Sequence, residues 1–400
     1  MARAEFIALV AFLMATNALA IDIVLPAYPN LAEAFGLQDE ADASQILVTY
    51  ILGFGFGQLA FGPISDRYGR RKPLTWGLIL YAATAFLCAI APSYGAMLVL
   101  RFLQGAGASA SRTIAVAVVR DTMKGRAMAS LLSLVSVVFM AVPILAPMFG
   151  QGLLWLTGWQ GIYITMAVLA VAVLVWFRQR LPETLMPEAR RPLTVESVLG
   201  AFRLIAGNRL AFFYALSTGL IYSALFAFLT LAQPVFVGVY GLEKTFTLVF
   251  AALALLMAVG SLLNSALVGR LGARRLCHGA LLGFIGLSGL LFLASLGGNP
   301  PLWLFVILLG FILALFGLIG ANMNAIAMEP LGEVAGSASS VLGFMQSIIA
   351  GIIGAFLGAL FSGQLTTFAG GLIGAGVLAL GAVAIAEHGK LFRAPSAGGA

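Results

Sequence analysis

Runs of about twenty apolar residues recur along nearly the whole chain, and no other feature restricts its fold so strongly. At a rise of about 1.5 Å per residue, each run is long enough to cross the ~30 Å hydrocarbon layer of a bilayer as a helix. The runs predict helices over residues 6–27, 44–64, 74–91, 95–119, 128–151, 159–178, 211–235, 245–268, 277–297, 302–324, 334–361 and 367–386. With 61% hydrophobic and 9% charged residues, a water-soluble globule would have to expose more apolar surface than soluble proteins do. The expected class is an all-α integral membrane protein with twelve transmembrane helices.

The N-terminus imitates a secretory signal: Arg3, an apolar stretch from Phe6 to Ala15, then Ala18-Leu19-Ala20. The apolar run continues through Val24 and Leu25, so it reads as a first membrane helix. Positive charge sets the orientation. Of the 22 lysines and arginines, 19 fall at the termini or in even-numbered loops, Lys244 lies in an odd-numbered loop, and Arg101 and Arg112 lie inside helix 4. By the positive-inside rule both termini are expected in the cytoplasm. The acidic first outer loop (Glu33, Asp39, Glu40, Asp42) agrees. Topology also accounts for the net charge of +7 without a nucleic-acid partner. Cys88 and Cys277 form no disulfide or metal spacing, and His278 and His388 read as solvated or interfacial. Gly105-Ala106-Gly107-Ala108-Ser109-Ala110 fits a loose dinucleotide pattern, but no strand precedes it, so these small residues read as helix-packing positions. No metal or cofactor is expected.

The longest polar segment, about Gln179 to Leu210, contains Pro182, Pro187 and Pro192. It divides the chain into an N-terminal six-helix bundle (1–180), a cytoplasmic linker (181–208) and a C-terminal six-helix bundle (209–400). An internal repeat supports the division. Asp66-Arg67-Tyr68-Gly69-Arg70-Arg71 follows helix 2, and Gly269-Arg270-Leu271-Gly272-Ala273-Arg274 follows helix 8, 203 residues later. Its return in the same orientation signals parallel halves.

The stretch Gly62 to Arg71 resembles the signature of the loop between helices 2 and 3 in the major facilitator superfamily, which implies that fold for two six-helix bundles. Gly62 and Gly69 permit close approach and a tight turn, Asp66 sits where it pairs near a helix end, and Asp121 after Arg120 is the natural partner for the arginines, which otherwise meet anionic lipid. Gly62, Asp66, Arg67, Gly69, Arg70, Arg71 and Asp121 are therefore read as a cytoplasmic latch that holds the outward-facing state; fixing topology alone would need neither the aspartate nor the glycine spacing. Asp22-Ile23-Val24-Leu25-Pro26, Arg101 to Gly105, Arg120-Asp121, Leu181 to Leu185 and the run from Ala327 to Ser340 are similar to the Bcr/CflA branch of drug:proton antiporters. Ala146 to Gln151 resembles an antiporter motif of helix 5, keeping Pro147 and Gly150 while Ala146 and Gln151 replace two glycines.

Asp22 is the one carboxylate the sequence places well inside a span, where an ionisable group costs several kcal/mol and marks a cavity or a function. Burial raises a carboxylate's pKa and a nearby cation lowers it, so a site between those effects exchanges protons near neutral pH. Asp22 is read as the proton carrier. Met14, Ala15, Ala18 and Leu19 on its helical face suit greasy substrates. Arg101, Gln104, Ala108 and Arg112 lie near one stripe of helix 4. The resemblance implies that helices 1, 4, 7 and 10 line a central cavity, with Arg101 facing Asp22 or the substrate. Substrate contacts are then expected from Met14, Ala18, Gln104, Arg112, Tyr214, Tyr222 and Asn322, each polar group also being a possible interhelical hydrogen bond.

The functional expectation is a monomeric proton-coupled multidrug efflux antiporter. Its partners are protons, the lipid bilayer and a small hydrophobic or amphipathic substrate, moved by alternating access. The alternative is a proton-coupled transporter of one metabolite, an amino acid or sugar, in the same fold. That would need more convergent polar groups than this sparsely polar, Phe-, Leu- and Met-rich chain offers. An enzyme would need a nucleophile–base pair or a metal set, and neither histidine supplies one.

Overall fold

A computed structural model describes the backbone of residues 3–38, 40–123, 125–190 and 195–392. Arg3, Glu40 and Arg126 lie in backbone it traces, but their side chains, like Asp39, Lys124, Arg191 and Arg393, fall outside the described set. Among the described residues thirteen α-helices run in order: α1 Arg3–Asp22, α2 Tyr28–Phe35, α3 Gln45–Tyr68, α4 Arg71–Ala89, α5 Tyr94–Thr122, α6 Gly125–Arg180, α7 Val195–Gly207, α8 Arg209–Gln233, α9 Phe246–Leu271, α10 Ala273–Ser295, α11 Leu302–Met328, α12 Ala335–Ala359 and α13 Leu365–Ala386. Eleven described segments are long and apolar enough to cross a membrane. One of them, Ala141–Arg180, contains Gly158 at φ 72°, ψ −176°, a break that divides α6 into two arms. Counting the arms separately gives the twelve spans. The protein is a multi-pass, all-α membrane protein.

Two local departures have simple causes. The first predicted helix stops at Asp22, because Pro26 and Pro29 lack amide donors; a 3₁₀ turn (Leu25–Ala27) and α2 follow, where the sequence suggested an outer loop. The segment expected to be a linker contains α7, whose Ala201 and Ile205 are buried.

The chain forms two compact units. The first is Met1–Gly200 with Lys244–Ala251 and Ser339–Ile348; the second is Ala201–Glu243, Ala252–Ala338 and Ile349–Ala400. In the first, α5 carries the small-residue stretch 105–110 against α3 and α4. A Cβ on Gly105 would strike the Tyr50 carbonyl, one on Gly53 the Phe102 backbone, and one on Gly107 the Gly77 carbonyl and the Tyr81 amide. Small residues let these backbones touch, which is how helices gain contact where lipid removes the hydrophobic drive. Leu9, Leu13, Leu78, Ile114 and Phe177 pack a core among α1, α4, α5 and α6.

The second unit uses the same device. A Cβ on Gly260 of α9 would strike the Ala314 carbonyl of α11, and one on Gly317 the Ser261 amide. Asn322 of α11 donates to Asn264 Oδ1 of α9 at 2.6 Å, a buried polar pair between the two helices. Loop glycines repeat as well. Gly69 (φ 85°) turns the chain from α3 into α4, and Gly272 (φ 83°) from α9 into α10, so the 203-residue repeat is a repeat of backbone conformation.

Candidate functional site

At the basic end of the first unit, Arg70 follows the left-handed Gly69 and turns inward. Its Nη1 donates to Asp66 Oδ1 (2.6 Å) and Ser65 Oγ (2.9 Å), its Nε to Asp121 Oδ2 (2.8 Å) and its Nη2 to Asp121 Oδ1 (3.3 Å). The end of α3, the start of α4 and the end of α5 are thus joined through one guanidinium. Burial opposes the charge on Arg70, and its bonds to Asp121 and Asp66 outweigh that, holding its pKa above the ordinary arginine value. The pairing expected with Asp121 is formed. Thr184 Oγ1 also donates to Asp121 Oδ2 (3.1 Å). Gly62 is buried in α3, and Arg67 is exposed at the end of that helix.

Sequence reasoning gives Glu183 no role beyond its place in the Leu181–Leu185 stretch, yet it is the carboxylate that straps this corner. Its Oε1 accepts from the backbone amides of Arg70 (2.7 Å), Thr184 (3.1 Å) and Leu185 (3.1 Å), and its Oε2 from that of Arg71 (3.1 Å). Burial works against the carboxylate, and these four N–H donors overcome it, holding the Glu183 pKa below the ordinary glutamate value. A Cβ at position 69 would collide with this carboxylate, a second reason for glycine there. Arg71 Nη2 donates to the Arg178 carbonyl (2.6 Å).

The second unit carries a related network that sequence reasoning missed, having noted only that the repeat loses its aspartate. Arg274 Nη1 and Nη2 meet Glu329 Oε1 and Oε2 at 3.1 and 2.8 Å, while Nε donates to Glu387 Oε1 at 2.8 Å. Glu329 directly follows α11, where Asp121 lies in the last turn of α5, and Glu387 follows the sixth span of its unit as Glu183 follows that of the first. Tyr214 is drawn into this network. Its hydroxyl donates to Glu387 Oε1 (2.8 Å) and lies 2.8 Å from His278 Nε2, while His278 Nδ1 accepts from the Phe392 amide (3.0 Å). A substrate-facing Tyr214 would therefore have to break bonds it already makes. His278 is fully buried, contrary to the solvated or interfacial reading.

Within the spans, Asp22 ends α1, is 4% exposed, and makes no hydrogen bond or ion pair with any described residue. Gly150 of α6 packs against the Ile23 carbonyl beside it, a contact that a Cβ would block; Pro147 is buried one turn earlier. Arg101 is wholly buried, but it does not pair with Asp22. Its Nη2 donates to the Ala20 carbonyl (3.1 Å), its Nε to the Ile46 carbonyl (3.3 Å) and its Nη1 to Gln104 Oε1 (2.7 Å), with the guanidinium 4.5 Å from the Tyr50 ring centre. Two of its partners are backbone carbonyls, which no side-chain pattern announces. Tyr50 in turn donates to Asn17 Oδ1 (2.9 Å). Arg112 is half-buried, its guanidinium 5.9 Å from the Phe54 ring centre. Ala18 is buried and Met14 packs at the edge of the unit's core. In the second unit, Tyr222 lies against Gly320 of α11, and Asn322 is held by Asn264 and the Leu318 carbonyl. Within the first unit the expected residues thus centre on three places, Asp22 with Gly150 and Pro147, the Arg101–Gln104 stripe and the Arg70 corner, while Tyr214, Tyr222 and Asn322 lie in the second unit.

The chain is 31% identical over 343 residues to the uncharacterized MFS-type transporter YdgK of Bacillus subtilis, covering 84% of each chain. It is 28% identical over 340 residues to the bicyclomycin resistance protein homolog of Haemophilus influenzae, again covering 84% of each. A chloramphenicol resistance protein of Pseudomonas aeruginosa matches at 28% over 353 residues, covering 85% of this chain and 80% of that one. Among solved structures, the partially occluded inward open xylose transporter XylE from E. coli superposes with a TM-score of 0.72 at 15% identity, covering 94% of this chain and 95% of that one; it speaks to the fold alone. Residues 10–355 match the family Major Facilitator Superfamily. The chain belongs to the major facilitator superfamily.

Proposed function

We propose that the chain is a proton-coupled efflux antiporter of the bacterial inner membrane, with both termini in the cytoplasm. It exports small hydrophobic or amphipathic compounds by alternating access between residues 1–180 and 209–400, joined through 181–208. The relatives named for bicyclomycin and chloramphenicol resistance support an efflux role. The observation that carries proton coupling is Asp22: a carboxyl buried at the end of α1 with no hydrogen-bond or ionic partner among the described residues. A buried acid without a partner is costly, and such groups inside membranes mark ion and proton pathways.

In the mechanism that follows, substrate and proton compete for different states of one carboxyl site, so each drives release of the other. Arg101 acts at one remove. By holding the Ala20 carbonyl it fixes the end of α1 that bears Asp22. The Arg70 corner serves as the latch on the cytoplasmic side. Proton-driven efflux from membrane vesicles, measured over a panel of structurally unrelated drugs, tests the reading. Drug export that needs no proton gradient, or transport of one sugar or amino acid only, would overturn it.

A further inference from the structure

The corner held by Glu183 also walls a crevice of about 410 Å³, lined by Tyr68, Arg71, Lys72, Thr75, Trp76, Arg178, Glu183 and Arg190. Four of these are cations. Among the described residues none of Arg71, Lys72, Arg178 and Arg190 forms an ion pair, since the Glu183 oxygens are taken up by backbone amides. Against the one carboxylate of Glu183 the crevice therefore gathers four cations that no described residue pairs, and its volume lies in the range of ligand sites.

Its surroundings identify the anion. Lys72, Trp76, Ile79, Ala83 and Phe86 are exposed positions of α4 at steps of three and four, one face of the helix, with exposed Ile90 following at its C-terminal end. Beyond Trp76 that face is wholly apolar, so it meets hydrocarbon. The crevice opens where this stripe ends, with Trp76 48% exposed and its ring 5.8 Å from that of Tyr68. Tyrosine and tryptophan mark the depth of lipid headgroups. A soluble anion would use the cations and ignore the stripe; a phospholipid uses both, phosphate in the crevice and acyl chains along α4.

We propose that this crevice binds the phosphate of an anionic phospholipid, phosphatidylglycerol in charge and size, from the leaflet on the basic side. Lys72 and Arg178 hold the phosphate and Trp76 flanks the glycerol region. Because the Glu183 strap forms one wall, an occupied crevice also braces the Arg70 corner.

The test is native mass spectrometry of the full chain, stripped of lipid and titrated with dioleoylphosphatidylglycerol, dioleoylphosphatidylethanolamine or inorganic phosphate. At ~1 kcal/mol per basic side chain near the headgroups, Lys72→Gln should weaken phosphatidylglycerol binding about fivefold, and Lys72→Gln with Arg178→Gln about twenty-five-fold. Both side chains are exposed, so thermal melting should not move. Trp76 should be quenched by bromine on the acyl chains of phosphatidylglycerol, read as the difference from Trp76→Phe. Equal retention of the zwitterionic lipid, insensitivity to both substitutions, or displacement of the lipid by millimolar inorganic phosphate would each overturn the proposal, the last by making this a soluble-anion site.

Discussion

Arg70 and Asp121 face each other through two hydrogen bonds, Nε to Oδ2 at 2.8 Å and Nη2 to Oδ1 at 3.3 Å. The two-pronged contact uses the planar guanidinium, which a lysine would lack. Asp66 takes a third donor of the same group at 2.6 Å. Asp66→Asn keeps the shape and removes charge from the corner. A bias of ~1–3 kcal/mol between two states is a reasonable size for such a contact. Turnover should fall sharply while drug affinity changes little, and paired spin labels on the two six-helix halves should show altered state populations. Unchanged label distances with lost drug binding would place the loop in the substrate site and end the latch reading.

Asp22→Asn should abolish uphill, gradient-driven efflux while leaving expression and drug binding intact. The amide matches the carboxyl in size, and with no described partner to disturb, the substitution removes only the titratable proton. Full gradient-driven efflux by this variant would move proton carriage elsewhere.

Arg101→Ala should destabilise the first unit as well as impair transport. It leaves the Ala20 carbonyl and Gln104 Oε1 without the guanidinium's donors in the interior, while the Ile46 carbonyl keeps the Thr49 hydroxyl. Unsatisfied buried groups cost about 1–3 kcal/mol each, so a loss of about 3 kcal/mol is expected, readable as a lower melting temperature in detergent. Arg101→Lys should recover part, since one ammonium cannot reach all three acceptors. Wild-type melting and transport in Arg101→Ala would assign it no role in either.

What the sequence showed and hid follows from where the signals lie. The spans were legible because apolar run length maps directly to bilayer thickness, and Pro26 and Pro29 moved the end of the first. The Arg70–Asp121 pair was legible because charge is scarce in this chain and both members sit at helix ends. Glu183 was not, because its work is to accept backbone amides, and amides have no side-chain signature. The Arg101 stripe was legible by periodicity, but its backbone partners were not. Arg274 stood in plain view within the repeat, yet Glu329 and Glu387 lie 55 and 113 residues further on.

The Glu183 strap should carry an acid-sensitive share of stability. Its folded pKa is depressed below the ordinary 4.5, so its contribution is complete above that value and is lost as pH falls through the folded pKa. Glu183→Gln should therefore melt below wild type at pH 7, and the difference should vanish on acidification well below pH 4.5. Its partial exposure keeps the effect small. A gap that persisted unchanged at the acid end would mean that shape, not charge, holds the corner.

Arg274 should prove as central to the second unit as Arg70 is to the first. One guanidinium bridges Glu329 and Glu387, and Glu387 also holds the Tyr214 hydroxyl. Arg274→Ala leaves two carboxylates without their shared cation, at a cost of about 1–2 kcal/mol given that Glu329 is partly solvated. Cys277, next in the same turn of α10 and fully buried, reports any local opening, and Cys88, equally buried in the first unit, serves as the internal control. Maleimide labelling of Cys277 should accelerate several-fold in Arg274→Ala while Cys88 keeps its wild-type rate. Arg274→Lys should fall between, because a single ammonium serves one carboxylate well and not both. Replacing Arg274 by Met and Glu387 by Gln together should relabel more slowly than Arg274→Ala alone, since the buried charge goes with its partner. Equal rates at Cys277 in all four proteins would show that the bridge does not hold α10 in place.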